Sequence, residues 1–335
     1  MSLNKILSPY PHSRRRRRWL GMAAGTVVLG AWSARAVSRE PLPVVATFSI
    51  LGDMVKEIGG ERVAVTTLVG SNADAHGFEP TPRDAKALRD ARVLVLNGLD
   101  FEAWLPRLTQ AAGFEGQRVL ASEGVKVRYF SDAHEHDHDH DHEHDDGHGH
   151  AHAHGDVDPH AWQDLSNGMI YARNIAAGLT RADPRNASYY ESRAAGYVAR
   201  MKALDSEVRT ALAAIPPENR RVISSHDAFG YFGAAYGIEF IPIMGVSSQA
   251  EPSARDVARV VERVRETQVG GVFIENMSSP ALAQQIARES GAIMGGTLYS
   301  DALGPADEPA SSYLGMFSWN AGRLVYVLKR SMQNQ

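Results

Sequence analysis

The chain has 335 residues, of which 44% are hydrophobic and 22% charged, a composition typical of a globular protein large enough for two domains. The first 36 residues carry seven basic and no acidic side chains, so the remainder is acidic, with 28 basic against 39 acidic residues. This balance argues against a nucleic-acid partner, because phosphate binding needs clustered lysine and arginine. The chain has no cysteine, which excludes a disulfide framework and a lipid-modified N-terminal cysteine.

Residues 1–36 have the pattern of a cleaved signal peptide. Five consecutive arginines, Arg14 to Arg18, precede an apolar run that is too short to span a bilayer, and an A-x-A motif closes at Ala36. The arginines together with Trp19 and Leu20 also resemble the twin-arginine pattern, so general and twin-arginine export both stay open. We therefore expect an exported protein that works in the periplasm.

Two stretches of alternating strand and helix patterns follow. The first predicts strands at 44–50, 63–69 and 93–96, with helices at 52–60 and 81–91. The second predicts strands at 221–224, 239–243 and 271–274, with helices at 229–236, 253–267 and 280–290. Such alternation implies parallel sheets. Between the two stretches, helices are predicted at 166–179 and 186–215, and the second is long enough to act as a strut.

The predicted fold class is therefore α/β. We expect two similar lobes, each a mainly parallel sheet flanked by helices, joined by one long linker helix. The expected boundaries are an N-terminal lobe at 37–184, a linker helix at 185–215 and a C-terminal lobe at 216–335.

Ten of the fourteen histidines fall between His134 and His154, in a predicted loop at 132–156 where they alternate with acidic residues, glycine and alanine. Such a segment cannot build a core. Its imidazoles and carboxylates offer many weak sites for borderline ions such as Zn²⁺, Cu²⁺ or Ni²⁺. We interpret it as a metal-capturing loop, and the alternative is a solvated insertion with no specific role.

Three other histidines lie where a predicted strand or loop gives way to a helix: His76, His160 and His226. These turns face the cleft in α/β lobes. For any one of them, a capping or core role is the simpler explanation. Three at equivalent turns, two in the first lobe and one in the second, predict convergence on a metal ion across the cleft.

Several short motifs resemble the signatures of one family. They are Asp158-Pro159-His160-Ala161-Trp162, His76 followed by Glu79-Pro80, Asn97-Gly98 followed by Glu102 and Trp104, and Glu251-Pro252-Ser253. Over nearly the whole mature chain, the sequence resembles the cluster A-I family, the periplasmic solute-binding proteins that deliver zinc or manganese to ABC transporters.

The resemblance implies a fourth ligand from a late acidic residue, which maps onto Asp301, with Glu275 as a competing carboxylate. Manganese-type members carry glutamate at the third ligand position, where this chain has His226. The implied ligands are His76, His160, His226 and Asp301, a set that suits tetrahedral Zn²⁺ better than Mn²⁺. Zn²⁺ is thus the expected transported ligand, and Mn²⁺ is the second choice.

Neighbouring residues have predicted supporting roles. Asp158, Asp227 and Glu102 are candidates to orient the ligand imidazoles, because metal-binding histidines usually donate their second ring nitrogen to a hydrogen-bond acceptor. Trp104 and Trp162 either wall the cleft against water or belong to the ordinary core.

The expected function is capture of periplasmic Zn²⁺ and its delivery to the membrane permease of an ABC transporter, without catalysis. A monomer is expected, and a periplasmic zinc chaperone is a further candidate partner. The alternative is a zinc hydrolase, with the three histidines around an activated water and Asp301 or Glu275 as general base. A fourth protein ligand and the lack of an H-E-x-x-H motif favour the binding protein.

Overall fold

The computed structural model describes residues 40–130, 157–243, 254–267 and 269–334. The predicted signal peptide at 1–36 and the predicted histidine-rich loop at 132–156 lie outside these residues, as does the motif at 251–253. The described residues form two four-stranded parallel sheets, one in each half of the chain.

The N-terminal lobe is built on the sheet β2-β1-β3-β4, with β1 in the middle. Its central strands are continuous apolar runs because helices cover both faces of a parallel sheet. The strands are β1 Leu42–Phe48, β2 Val63–Val69, β3 Val93–Leu96 and β4 Gln117–Leu120, and the helices are α1 Ser49–Gly59, α2 Pro82–Asp90 and α3 Leu105–Ala112. Thr81 and Asp84 form a capping box that starts α2.

Two long helices follow this lobe: α4 Leu165–Ala182 and α5 Ala187–Ala213. Asp164 caps α4 by accepting a hydrogen bond from the Ser166 backbone N–H. The 27-residue helix α5 is the predicted strut, and it packs on α4, α1 and the last helix of the chain.

The C-terminal lobe repeats the strand arrangement of the first, in the order β6-β5-β7-β8. Its strands are β5 Arg221–Ser224, β6 Glu239–Pro242, β7 Gly271–Glu275 and β8 Met294–Leu298, and its helices are α6 Gly230–Tyr236, α7 Ala254–Glu266, α8 Pro280–Ser290 and α9 Tyr313–Gln333. The predicted fold class, two similar α/β lobes joined by one long helix, is confirmed.

The apolar core does not stop at the lobe boundary. One cluster of buried side chains runs from β1 through α4 and α5 into α9 and reaches Phe273 of β7 and Leu298 of β8. A smaller cluster fills the space between the second sheet and α7 and α8. The two sheets are therefore held by a shared core in addition to the connecting helix.

Among the residues that the structure describes, no helix is both long and apolar enough to cross a membrane.

The junction of α4 with α9 predicts a stability difference between two helical glycines. A Cβ at buried Gly168 would collide with the Tyr313 ring, whereas a Cβ at exposed Gly196 of α5 would meet no atom within 4 Å. Gly168→Ala should lower the free energy of unfolding by about 1–3 kcal/mol through overpacking. Gly196→Ala should raise it by about 0.5–1 kcal/mol through helix propensity. Urea titration of both variants measures this, and equal effects would contradict the packing described.

A second prediction concerns Asp53 of α1, which accepts a 2.8 Å hydrogen bond from the Tyr313 backbone N–H at the start of α9. Burial raises the pKa of Asp53 to about 6, against about 3.9 for an unperturbed aspartate. The native state therefore holds a proton that the unfolded chain releases between these values, and stability falls as pH rises through that window. The side chain of Asp53→Asn stays neutral. The free energy of unfolding of this variant, relative to that of the wild type, should therefore rise by roughly 2–3 kcal/mol from pH 4 to pH 7.

Chemical denaturation at four pH values from 4 to 7 tests this, with exposed Asp307→Asn as the control. The stability difference between Asp53→Asn and the wild type should grow with pH up to about 6 and then level off. A difference that stayed constant with pH would show that Asp53 does not titrate in this way.

Candidate metal centre

The four predicted ligands all lie on segments that follow strands or precede helices at the cleft. His76 lies between β2 and α2, and His226 between β5 and α6. His160 precedes a single 3-10 turn that leads into α4, and Asp301 follows β8. The structure brings these four residues together, with one ligand atom of each within 4.8 Å of the others.

The distances between donor atoms are short and similar. His76 Nε2 lies 3.3 Å from His160 Nε2 and 3.3 Å from Asp301 Oδ2. His226 Nε2 lies 3.2 Å from Asp301 Oδ2, and His160 Nε2 lies 3.5 Å from Asp301 Oδ1. Four donors at about 2.0 Å from one tetrahedral ion are about 3.3 Å apart. The separations given are close to this value, and one donor atom of each residue lies within 4.8 Å of the others, a spacing that a single ion could bridge.

The cluster is buried, and its His76 side is the most exposed. The side chains of His160, His226 and Asp301 are at most 1% exposed, while that of His76 is 14% exposed. Asp301 Oδ1 is buried and has no hydrogen-bond partner among the described residues. An unsatisfied carboxylate oxygen facing imidazole nitrogens fits a cation, because burying such an oxygen without a partner is costly.

Two further carboxylates orient the imidazoles. Asp158 Oδ1 accepts hydrogen bonds from His160 Nδ1 at 2.9 Å and from the His160 backbone N–H at 3.0 Å. Glu275 Oε1 accepts from the His226 backbone N–H at 2.8 Å, and its Oε2 lies 2.5 Å from His226 Nδ1. A carboxylate on Nδ1 fixes the tautomer that leaves Nε2 free as a ligand. Both Nε2 atoms point into the cluster.

Charged neighbours shift the pKa values of two members of the cluster, His226 and Asp301. Burial alone would lower the pKa of His226, but nearby Glu275 and Asp301 outweigh it and raise that pKa well above its usual range. Burial would raise the pKa of Asp301, yet the adjacent imidazoles of His160 and His226 hold it well below its usual range. Asp301 is therefore kept ionised, which suits it to ligate a cation.

The two tryptophans support ligand-bearing segments. Trp104 Nε1 donates to the Ala75 carbonyl at 2.9 Å, directly before His76. Trp162 Nε1 donates to the Ser300 carbonyl at 2.8 Å, directly before Asp301. Gln163 Nε2 donates to the same carbonyl at 2.7 Å. Trp162 thereby links the segment that carries His160 to the segment that carries Asp301.

Glu102 supports the site less directly than predicted. Its Oε1 accepts hydrogen bonds from the Thr47 hydroxyl and the Asn97 N–H, and its Oε2 accepts from the Gly98 N–H. Asn97 Nδ2 then donates to the Pro159 carbonyl at 3.0 Å, next to His160. Glu102 therefore fixes the turn after β3, and this turn fixes the backbone before His160.

Sequence reasoning did not give Glu275 an orienting role and considered it only as a competing ligand or as the general base of a hydrolase. The structure places its carboxylate against Nδ1 of His226, the ring nitrogen that does not face the cluster. The sequence offered only its place at the end of a predicted strand. The pairing of that strand, β7, with β5, which ends two residues before His226, is seen only in the structure. Asp158, by contrast, contacts His160 as predicted.

A two-lobed α/β protein with a buried cluster of histidine and aspartate at its cleft defines a class, the metal-binding solute-binding proteins. Comparison with known families is consistent with this class. A family model described as the periplasmic zinc-uptake complex component A matches residues 44–327. The chain belongs to this family, which confirms the resemblance seen in the sequence.

Known relatives carry different metals in their names. The manganese ABC transporter substrate-binding lipoprotein PsaA of Streptococcus pneumoniae is 29% identical over 318 residues, 93% of this chain and 97% of PsaA. The iron ABC transporter substrate-binding lipoprotein MtsA of Streptococcus pyogenes serotype M1 is 28% identical over 304 residues, 89% of this chain and 92% of MtsA. The solved periplasmic zinc binding protein TroA from Treponema pallidum is 26% identical with a TM-score of 0.74, covering 87% of this chain and 99% of that one.

This protein is therefore the metal-binding component of an ABC transporter, and such components act with a membrane permease. Among the described residues, His76, His160, His226 and Asp301 form a group that could hold a metal ion.

The contact between Glu275 and His226 generates a prediction for metal binding. Glu275→Gln replaces a pure acceptor by an amide that can turn its NH₂ group towards Nδ1, which favours the tautomer with a proton on Nε2. The affinity for divalent metal should fall about 10–100-fold, the usual loss on removing an outer partner. Competition with a fluorescent chelator measures it. The control is Glu308→Gln, because the Glu308 carboxylate accepts a hydrogen bond from the Tyr299 hydroxyl away from the cluster. Equal metal affinity in the two variants would contradict the role of Glu275.

Proposed function

We propose that this protein captures Zn²⁺ in the periplasm and delivers it to the permease of its ABC transporter. The observation that carries the proposal is the set of four converging donors, three imidazole nitrogens and one carboxylate oxygen. Its four members, His76, His160, His226 and Asp301, act as the ligands of the transported ion.

The composition of this set favours zinc. Zn²⁺ is satisfied by four ligands in a tetrahedron and binds nitrogen well, whereas Mn²⁺ prefers more oxygen ligands and a higher coordination number. The manganese and iron in the names of PsaA and MtsA belong to those proteins. Because Cu²⁺ binds such nitrogens more tightly still, the supply of metal in the compartment also contributes to selection.

The site supports binding and not catalysis. A catalytic zinc keeps one position for water, and its general base must be free to reach that water. Here Asp301 lies inside the ligand cluster, and Glu275 is held against His226 by both carboxylate oxygens. Both candidate bases of a hydrolase are therefore committed to other contacts.

The remaining parts of the proposal rest on the sequence. The export pattern at 1–36 supports a periplasmic location, and the lack of cysteine supports a protein that is free and not lipid-anchored. We propose a monomer with the lobe and linker boundaries given above, loaded directly or by a zinc chaperone. The histidine-rich segment at 132–156 suits the weak, exchangeable binding that would raise zinc concentration near the cleft.

Metal titration tests the proposal. The wild type should bind one Zn²⁺ tightly and prefer it to Mn²⁺, and His160→Ala should weaken that site by on the order of 100-fold or more, because each ligand carries a large share of the binding energy. His148→Ala, in the histidine-rich segment, is the matched control and should leave the tight site unchanged. Preference for Mn²⁺, or a tight site that survives His160→Ala, would overturn the proposal.

A further inference from the structure

A tyrosine of the C-terminal lobe contacts the segment that precedes the histidine-rich loop. Tyr231, in α6 of the C-terminal lobe, is buried, and its hydroxyl accepts a 2.9 Å hydrogen bond from the Arg128 backbone N–H. The same hydroxyl donates to the Lys126 carbonyl at 3.4 Å. The Arg128 guanidinium also lies over the Tyr231 ring, with Cζ 5.6 Å from its centroid. One aromatic side chain thus fixes both the backbone and the side chain of Arg128.

Arg128 in turn faces the carboxylate that orients His160. Its Nε lies 3.9 Å from Asp158 Oδ2, and its carbonyl accepts a 3.0 Å hydrogen bond from the Asp158 N–H. Asp158 Oδ1 is the atom that accepts from His160 Nδ1. The Asp158 carboxylate therefore lies between His160 and Arg128, with Oδ1 on the imidazole and Oδ2 facing the guanidinium. The Asp158 side chain is only 3% exposed, so the nearby guanidinium charge offsets part of the cost of burying the carboxylate.

The start of α6 closes the second side of this carboxylate. A Cβ at Gly230 would lie 2.7 Å from Asp158 Oδ2 and 3.6 Å from Arg128 Nε. The glycine therefore lets the backbone of the C-terminal lobe approach the Asp158 carboxylate. Arg128 and Gly230 together leave Asp158 little room to rotate away from His160.

We infer that Arg128 and Tyr231 are positioning residues for zinc binding, which transmit the docking of the C-terminal lobe to His160 through Asp158. Neither residue touches the ion. Tyr231 holds Arg128, Arg128 holds Asp158, and Asp158 fixes the His160 imidazole with Nε2 towards the cluster. This inference rests on the proposed function, because it takes the cluster to be the zinc site.

The same helix offers a matched comparison. Tyr236 of α6 carries the Arg209 guanidinium over its ring at 4.9 Å, and its hydroxyl donates to Asp205 at 2.9 Å. This second arrangement contains the same three residue types, with Arg209 Nε 2.9 Å from Asp205 Oδ2, but none of its members contacts a residue of the cluster in the contacts described. Variants of Tyr236 and Arg209 therefore show how much Zn²⁺ affinity changes when α6 is perturbed without a change near His160.

The experiment measures Zn²⁺ affinity and dissociation rate by chelator competition and stopped flow. Arg128→Met keeps apolar contact with the Tyr231 ring but removes the charge, and Tyr231→Phe keeps the ring but removes the hydroxyl. Zn²⁺ affinity should fall about tenfold in Arg128→Met, which is the lower end of the loss usually seen on removing an outer partner of a ligand. It should fall about threefold in Tyr231→Phe, which loses one hydrogen bond. Most of the loss should appear as faster dissociation. Arg128→Lys, which retains the charge, should recover part of the affinity.

A double-mutant cycle gives the readout that a merely structural role would not change. In an Asp158→Asn background, Arg128→Met should have little further effect, because both act through one carboxylate. Arg209→Met and Tyr236→Phe should bind Zn²⁺ within twofold of the wild type. Thermal unfolding of each variant verifies that it is folded. If Arg128→Met does not fold, Arg128→Lys still tests the role of the guanidinium.

Three results would overturn the inference. The first is wild-type Zn²⁺ affinity in both Arg128→Met and Tyr231→Phe. The second is an equal loss of Zn²⁺ affinity on Arg128→Met in the wild-type and Asp158→Asn backgrounds. Equal losses in the Arg209 and Tyr236 controls would show a general effect of α6. A wild type without a tight zinc site would instead overturn the proposed function, and the inference would fall with it.

Discussion

Four candidate donors from four separate segments lie within 4.8 Å of one another, and much of the surrounding structure serves to hold these segments together. One tetrahedral ion would need its donors about 3.3 Å apart. The described contacts show how each is held: His76 through Trp104, His160 through Asp158, His226 through Glu275, and Asp301 through Trp162 and Gln163. The supports are themselves buried, so they have few alternative positions. A site built in this way keeps its geometry without relying on the ion, because packing and hydrogen bonds fix each ligand-bearing segment.

Much of the fold could be predicted because its signals are local. The strands Val93–Leu96 and Arg221–Ser224 lie where the apolar runs indicated, since buried parallel strands require such runs. The edge strand Val63–Val69 also lies at its predicted position. Helix α9, Tyr313–Gln333, was not predicted although it is 21 residues long. Strand β4 and helix α3 were not predicted either. Gln117–Leu120 is four residues long with one buried side chain, and Leu105–Ala112 is a short helix that begins with a proline turn. Neither has enough residues for periodicity to show.

The site was predictable to a different degree for each residue. The three histidines stood out because each occupies a strand-to-helix turn in an α/β pattern. Asp301 came only from the family resemblance, since carboxylates after strands are common. The orienting role of Glu275 depends on the pairing of β5 with β7, which brings residues 49 positions apart into contact, and no local pattern contains that information. The role of Glu102 likewise depends on where Asn97 points in the folded chain.

The shared core limits how the two lobes can move. Buried side chains are continuous from β1 through α4 and α5 to α9 and the second sheet, so a wide swing of one lobe would break close-packed contacts over its whole length. Low-energy motion is therefore confined to segments with fewer buried contacts, such as the turn that carries His76, where five of the six residues from Ser71 to His76 are not fully buried.

The unequal exposure of the four donors gives the centre a front and a back. His160, His226 and Asp301 are enclosed, and His76 alone among them meets solvent to a measurable extent. In the proposed zinc site, a chelator or a side chain of the permease would therefore reach the ion from the His76 side. Exchange of the ion would then begin at the His76 bond, while the three enclosed donors keep their contacts with the ion.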